Sequence, residues 1–210
     1  MAITNYADLV ALVQQWMARS DLSGAAQDFI TLGENYLNFG GDPDTDPPLR
    51  CREMELVVDL TPASGICELP DDYLEYRRVV EKASPRRELK YIPPDAAETL
   101  YPFRTNGLGV NFTMIGSDLY TFPLASNDIE LTYYRQIPPL TDTDDTNWLL
   151  TKSPSVYLRA ALLQAADYTR KTEEIAKHAT MLRGLVAGLN HTNMMGNYAR
   201  AGVTMKGVTP

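Results

Sequence analysis

From Tyr6 onward, apolar residues recur every three or four positions. Leu9, Leu12, Val13 and Trp16 line one side of a helix predicted over Tyr6–Arg19. Asn5 stands where an N-cap is wanted, and Asp8 sits in the first turn near the positive end of the helix dipole. A turn is expected around Asp21–Gly24. The same period resumes over Ala25–Phe39, with Phe29, Leu32, Tyr36 and Leu37 on one face, and Gly40-Gly41 supplies the stop. Two helices joined by so short a turn predict an antiparallel hairpin.

A polar break rich in Gly, Asp and Pro follows at Gly40–Pro48, and after it the period drops to two. Met54, Leu56, Val58 and Leu60 alternate with Glu53, Glu55, Val57 and Asp59, the pattern of a half-buried strand. Thr61–Gly65 reads as a turn and Ile66–Leu69 as a short return strand. Further strands are predicted at Glu75–Lys82, Glu88–Ile92, Val110–Ile115, Asp118–Phe122 and Asp128–Arg135, with Gly116-Ser117 as a hairpin turn. Pro94–Leu100 reads as one short helix with proline at its start.

Helical periodicity returns after Trp148. Ser153-Pro154 is a start signal, and Tyr157, Leu158, Ala161, Leu162 and Ala165 form a broad apolar face. A break is expected near Thr169–Thr172, then a last helix with Ile175, Leu182, Leu185, Val186 and Leu189 in register. The final stretch, Asn193–Pro210, has no sustained period and is expected to stay mobile until something binds it. The predicted fold is therefore α+β. N- and C-terminal helix pairs (residues 1–41 and 147–192) form a four-helix bundle, an antiparallel β lobe (49–140) is inserted, and an extended tail (193–210) follows.

The chain has 210 residues, 44% of them apolar, enough for a sizeable core. Its formal net charge of −8 argues against wrapping nucleic acid, which requires a basic face, but suits a surface that DNA slides past without sticking. Cys51 and Cys67 have no metal-ligand spacing, and the first residues carry no secretory pattern. No apolar run approaches the roughly 20 residues that span a bilayer. These features predict a soluble protein made in the cytoplasm with reduced thiols.

Candidate chemistry is thin. Asp42, Asp44 and Asp46, with Glu53 twelfth from Asp42, have the carboxylate spacing of a calcium loop, but the sixth position is Pro47 where such loops need glycine. Asp142, Asp144 and Asp145 lie among threonines in a linker, where aspartate commonly supports turns. His178 and His191 have no Cys or carboxylate at ligand spacing in the sequence pattern and are expected at a helix surface or end. No phosphate loop, nucleophile elbow or zinc spacing is present, and the 12 tyrosines lack the interleaved Lys and Arg of a single-strand platform. No catalytic residue, cofactor or metal site is expected.

Several strings resemble one family. Phe29–Leu37 (FITLGENYL) followed by Leu49–Glu55 (LRCREME), then Leu69–Glu75 (LPDDYLE), Ile129–Leu140 (IELTYYRQIPPL), Asn147–Leu150 (NWLL) and Pro154–Leu158 (PSVYL), are similar in order to the signature of tailed-phage head-to-tail adaptor proteins. The resemblance covers about residues 5–190. The 40–48 segment is longer than the family's spacing, and nothing after Asn190 matches the pattern.

The resemblance implies a structural virion protein at the head–tail junction and not an enzyme. Its subunits would form a ring, a dodecamer, under the portal, extending the DNA channel used in genome ejection and docking tail or nozzle proteins. DNA would pass without specific binding. Ring contacts of this kind are heterologous, and Gly33, Ala160 and Ala161 are candidates for close packing between helices. Met194, Met195, Tyr198, Arg200, Met205 and Lys206 are candidate contacts to the portal, by docking or strand addition. The alternatives are a monomeric protein-binding or regulatory module of a phage and, further off, a virion-associated wall-degrading enzyme.

Overall fold

Asn5 begins the first helix as its residue type predicts. Its backbone is extended, and its side-chain oxygen accepts the Asp8 N–H at 2.8 Å. Asp8 reciprocates by accepting the N–H and hydroxyl of Thr4 at 3.1 and 2.6 Å, which fixes the chain just ahead of the cap. In this computed structural model, which describes residues 3–42 and 45–198, α1 spans Tyr6–Met17 and a 3-10 turn, Ser20–Ala25, replaces the expected bend. α2 spans Ala26–Phe39 and ends at Gly40, whose φ of +77° is open to glycine and strained for other residues. A Cβ there would also lie 2.7 Å from the Asp46 carbonyl oxygen.

The chain divides into two compact units, Met1–Glu53 with Ile137–Pro210, and Met54–Gln136. In the second unit a 3-10 turn, Arg52–Met54, leads into β1 (Glu55–Leu60), followed by β2 (Ile66–Glu68), β3 (Tyr73–Glu81), β4 (Arg87–Glu88) and β5 (Lys90–Tyr91). Then come α3 (Pro94–Leu100), β6 (Asn111–Ile115), β7 (Asp118–Phe122) and β8 (Ile129–Arg135). One sheet has the order β1-β8-β3-β4 and the other β2-β7-β6-β5. Every pairing is antiparallel except β5 with β6.

Both sheets contribute to one apolar core. Val79, Ile129, Leu131 and Tyr133 come from the first, and Cys67, Phe112 and Leu119 from the second. β1 lies at a sheet edge, and only its Val58 and Leu60 reach that core, so Leu56, expected inward, is exposed alongside Val57. The single strand predicted over Glu88–Ile92 is split, because Leu89 turns inward, donates to the Val79 carbonyl at 2.9 Å and divides the segment between the two sheets.

The helical unit continues with α4 (Trp148–Lys152), α5 (Pro154–Tyr168) and α6 (Thr172–Tyr198). α5 is buried nearly all round, as a central helix must be, with α1, α2 and α6 packed on it. The break falls where expected: the Thr169 hydroxyl bonds back to the Ala165 carbonyl at 2.9 Å, and Arg170 takes a left-handed φ of 55°. α6 then runs six residues into the segment predicted to be an aperiodic tail, since Asn193–Tyr198 continue the helix. The molecule is thus α+β, with six α-helices and two sheets among the described residues. None of its described helices is long and apolar enough to cross a membrane.

Residues 49–53 and 137–140, expected in the β lobe, belong to the helical unit. Backbone bonds put them there: Leu49 N–H donates to the Leu37 carbonyl, and Arg50 N–H to Asn190 Oδ1 at 2.8 Å. Ile137 N–H donates to Asn38 Oδ1 at 3.0 Å and Leu140 N–H to Glu34 Oε1 at 2.9 Å.

Candidate interaction surfaces

The acidic residues that resembled a calcium loop act as fasteners. Asp46 accepts Arg183 Nε at 2.5 Å and a second guanidinium nitrogen at 3.1 Å, clipping the 40–48 segment to α6. The Arg183 hydrogen bond holds the Asp46 carboxyl below its usual range, while burial and Asp46 push the Tyr36 phenol up to about 12. Glu53 pairs with Lys152. Among the described residues, no group of three or more His, Cys, Asp or Glu is placed to hold a metal.

A buried polar network pins the return from the β unit within the helical unit. Glu34, on α2, accepts from Leu140 N–H and, at 3.0 Å, from the Tyr157 hydroxyl. Asn147 donates to that hydroxyl at 2.6 Å and to the Pro138 carbonyl at 2.7 Å, while its oxygen caps α4 by accepting Leu150 N–H at 2.9 Å. Burial raises the Glu34 pKa, opposed by the bonds from Leu140 and Tyr157. In the β unit, the fully buried Glu81 similarly accepts from Gly109 N–H at 2.7 Å and Asn127 at 2.9 Å, tying two loops to the end of β3. These networks are structural.

Gly33, Ala160 and Ala161 do permit close approach, but inside the subunit. A Cβ on Gly33 would lie 3.1 Å from Ala160 Cβ and from the Ala161 backbone nitrogen, and both alanines are fully buried where α2 meets α5. Met194, Met195 and Tyr198 fall on the last turns of α6 with side chains outside the described residues, and Arg200, Met205 and Lys206 also lie outside them.

Two surfaces stand out. In the β unit, Leu100, Phe103, Leu108 and Val110 are exposed along one stretch of chain, Phe103 to 81%. In the helical unit, a cleft of about 300 Å³ opens where the end of α1 meets α5 and the start of α6. Its floor includes Leu22, Leu162, Ala165 and Ala166, and Arg19, Lys171, Glu174 and Lys177 line it as well. Trp16, expected in the core, stands half exposed at the cleft, with the Arg159 guanidinium 5.0 Å from its ring centre.

His178 also lines the cleft and corrects the expectation of a surface or helix-end position: it is buried. Its Nδ1 faces an Arg159 nitrogen at 3.1 Å and its Nε2 faces Glu174 at 3.3 Å. Burial and then Arg159 depress its pKa, so at neutral pH the ring accepts from Arg159 and donates to Glu174. His191, expected just past a helix, lies within α6. Glu174, one helical turn before His178, is a nearby carboxylate that the sequence pattern was expected to lack. Nothing in the sequence joined this pair to Trp16 or to Arg159.

No curated protein matches the chain. A family model, described as SU10 adaptor protein, matches residues 4–204, nearly the whole chain and well past Asn190, where the resemblance read from the sequence stopped. A match of that extent, over a sequence already carrying the ordered strings of phage adaptors, places the chain in the SU10 adaptor protein family of phage structural proteins.

Proposed function

We propose that the protein is a subunit of a ring, a dodecamer, that sits beneath the portal at the head–tail junction. The ring extends the DNA channel and presents a platform for tail or nozzle proteins. The observation that carries this reading is the adaptor-family match over residues 4–204. A net charge of −8 supports it, since a predominantly acidic wall repels the backbone of DNA in transit. So does the exposed apolar surface at Phe103 and its neighbours, which the β core does not use. Within the subunit, α1, α2, α5 and α6 act as a four-helix bundle that holds the β unit as an insert.

Portal contact is assigned to the end of the chain, with Met194, Met195, Tyr198, Arg200, Met205 and Lys206 as the anchoring residues. Truncation after Tyr198 tests this by co-sedimentation with the purified cognate portal. Loss of portal binding with an unchanged circular dichroism spectrum is expected. Full binding by the truncated chain overturns the assignment for residues 199–210.

A further inference from the structure

Exposed charge of opposite sign sits at the two ends of α1. At its N-terminus, Tyr6 N–H donates to the Asp145 carbonyl at 2.7 Å, which fixes the 141–146 loop there. Thr141 and Asp144 close that loop by two bonds, Thr141 N–H to the Asp144 carbonyl at 3.0 Å and Asp144 N–H to the Thr141 hydroxyl at 2.9 Å. Asp142, Asp144 and Asp145 are all exposed, and no Lys or Arg pairs with them among the described residues.

At the other end of α1 lies the cleft with its cationic rim. Lys171 has no carboxylate partner among the described residues, and Lys177 reaches only Glu174, at 3.6 Å. Arg19 is engaged by Asp21 at 2.5 Å. The rim is thus a locally positive site on a chain of net charge −8.

The 12 residues of α1 hold the two features apart by about 18 Å at 1.5 Å per residue, more than twice the screening length of about 8 Å at physiological ionic strength. One copy cannot satisfy both. A second copy can, and because the two features differ and lie at opposite ends of one rigid helix, the contact is head-to-tail, the kind that propagates around a ring.

We infer that the cleft lined by Trp16, Lys171 and Lys177 receives the acidic 141–146 loop of the neighbouring copy. This rests on the ring reading and supplies its subunit contact. Carboxylates meet the lysine rim, and the loop tip covers the apolar floor of Leu162 and Ala165. Long-range attraction of this kind sets register and steers assembly, so the ring population falls as salt rises.

The test is a charge swap read by mass photometry at low and physiological salt, with and without portal. Lys171→Glu/Lys177→Glu and Asp142→Lys/Asp144→Lys change exposed side chains only, and circular dichroism verifies that each variant folds. Each pair alone is expected to lower the ring population about tenfold or more by placing like charges together, and combining all four should restore most of it. Wild-type rings that ignore either reversal, or a folded quadruple variant that does not recover, overturn the contact and leave the ring standing. A wild-type chain that forms no ring in any condition removes the ring and this contact with it.

Discussion

The two units of this chain solve the burial problem differently. The helical unit is organised around α5, whose small residues let α2 approach to the limit set by Gly33, and its incoming and outgoing segments are fastened by Glu34, Asn38 and Asn147. Glu34, Asn38 and Asn147 each accept a backbone N–H from a residue close to or far along the chain. The β unit instead closes two small sheets over a core of aliphatic and aromatic side chains while leaving Leu100, Phe103, Leu108 and Val110 outside. Both units use buried polar fasteners, Glu34 in one and Glu81 in the other, and the difference lies in where exposed apolar side chains sit: scattered over the helices, but close together along residues 100–110 in the β unit.

The largest expected effect falls in the core of the β unit. Leu131 is fully buried at the centre of the β1-β8-β3 sheet, and Leu131→Ala should cost about 3–4 kcal/mol, measured by urea denaturation followed by far-UV circular dichroism. A cost below about 1 kcal/mol would mean that the two sheets do not share one close-packed core.

Next comes the polar fastening of the helical unit. Glu34→Ala strips the acceptor from Leu140 N–H and the Tyr157 hydroxyl and should cost about 2–3 kcal/mol, since both donors are left buried. Glu34→Gln keeps an acceptor oxygen and behaves differently. Burial raises the Glu34 pKa, so the stability linked to its protonation is complete below the ordinary glutamate pKa and is lost as pH rises through the raised value. The melting temperature of Glu34→Gln relative to wild type should therefore climb as pH rises above the ordinary glutamate pKa. A difference that stays flat or falls over that range would contradict the burial assigned to this carboxyl. Trp16 and Trp148 both lie in the helical unit, so tryptophan fluorescence follows this unit.

The smallest effect on stability is expected at the exposed surface. Phe103→Ser should change the unfolding free energy by no more than about 0.5 kcal/mol. If this side chain contacts a partner, the same variant should weaken assembly. A large loss of stability would show that Phe103 belongs to the core and dissolve the distinction between the units.

Much of this was legible in the sequence, for local reasons. The helix Pro94–Leu100, the strand Asp118–Phe122, the Asn5 cap, the Gly40 stop and the break after Tyr168 depend on neighbours a few residues away, and all stand as predicted. What escaped depends on partners far along the chain. Glu34 meets Leu140 and Tyr157 across 106 and 123 residues, so nothing nearby marked it as buried. Leu32 and Trp16 kept helical spacing yet point outward, because periodicity finds an apolar stripe but not how wide a stripe the neighbours cover. The cleft was invisible for the same reason: Trp16, Lys171 and His178 share no motif and meet only when α1, α5 and α6 pack.

The central claim is assembly into a portal-bound ring, and mass photometry of the purified chain, alone and mixed with its cognate portal, tests it most directly. A species near twelve times the 23.4 kDa subunit mass, free or added to the portal, is the predicted result. A chain that stays at the mass of one subunit and leaves the portal unchanged in mass would contradict it.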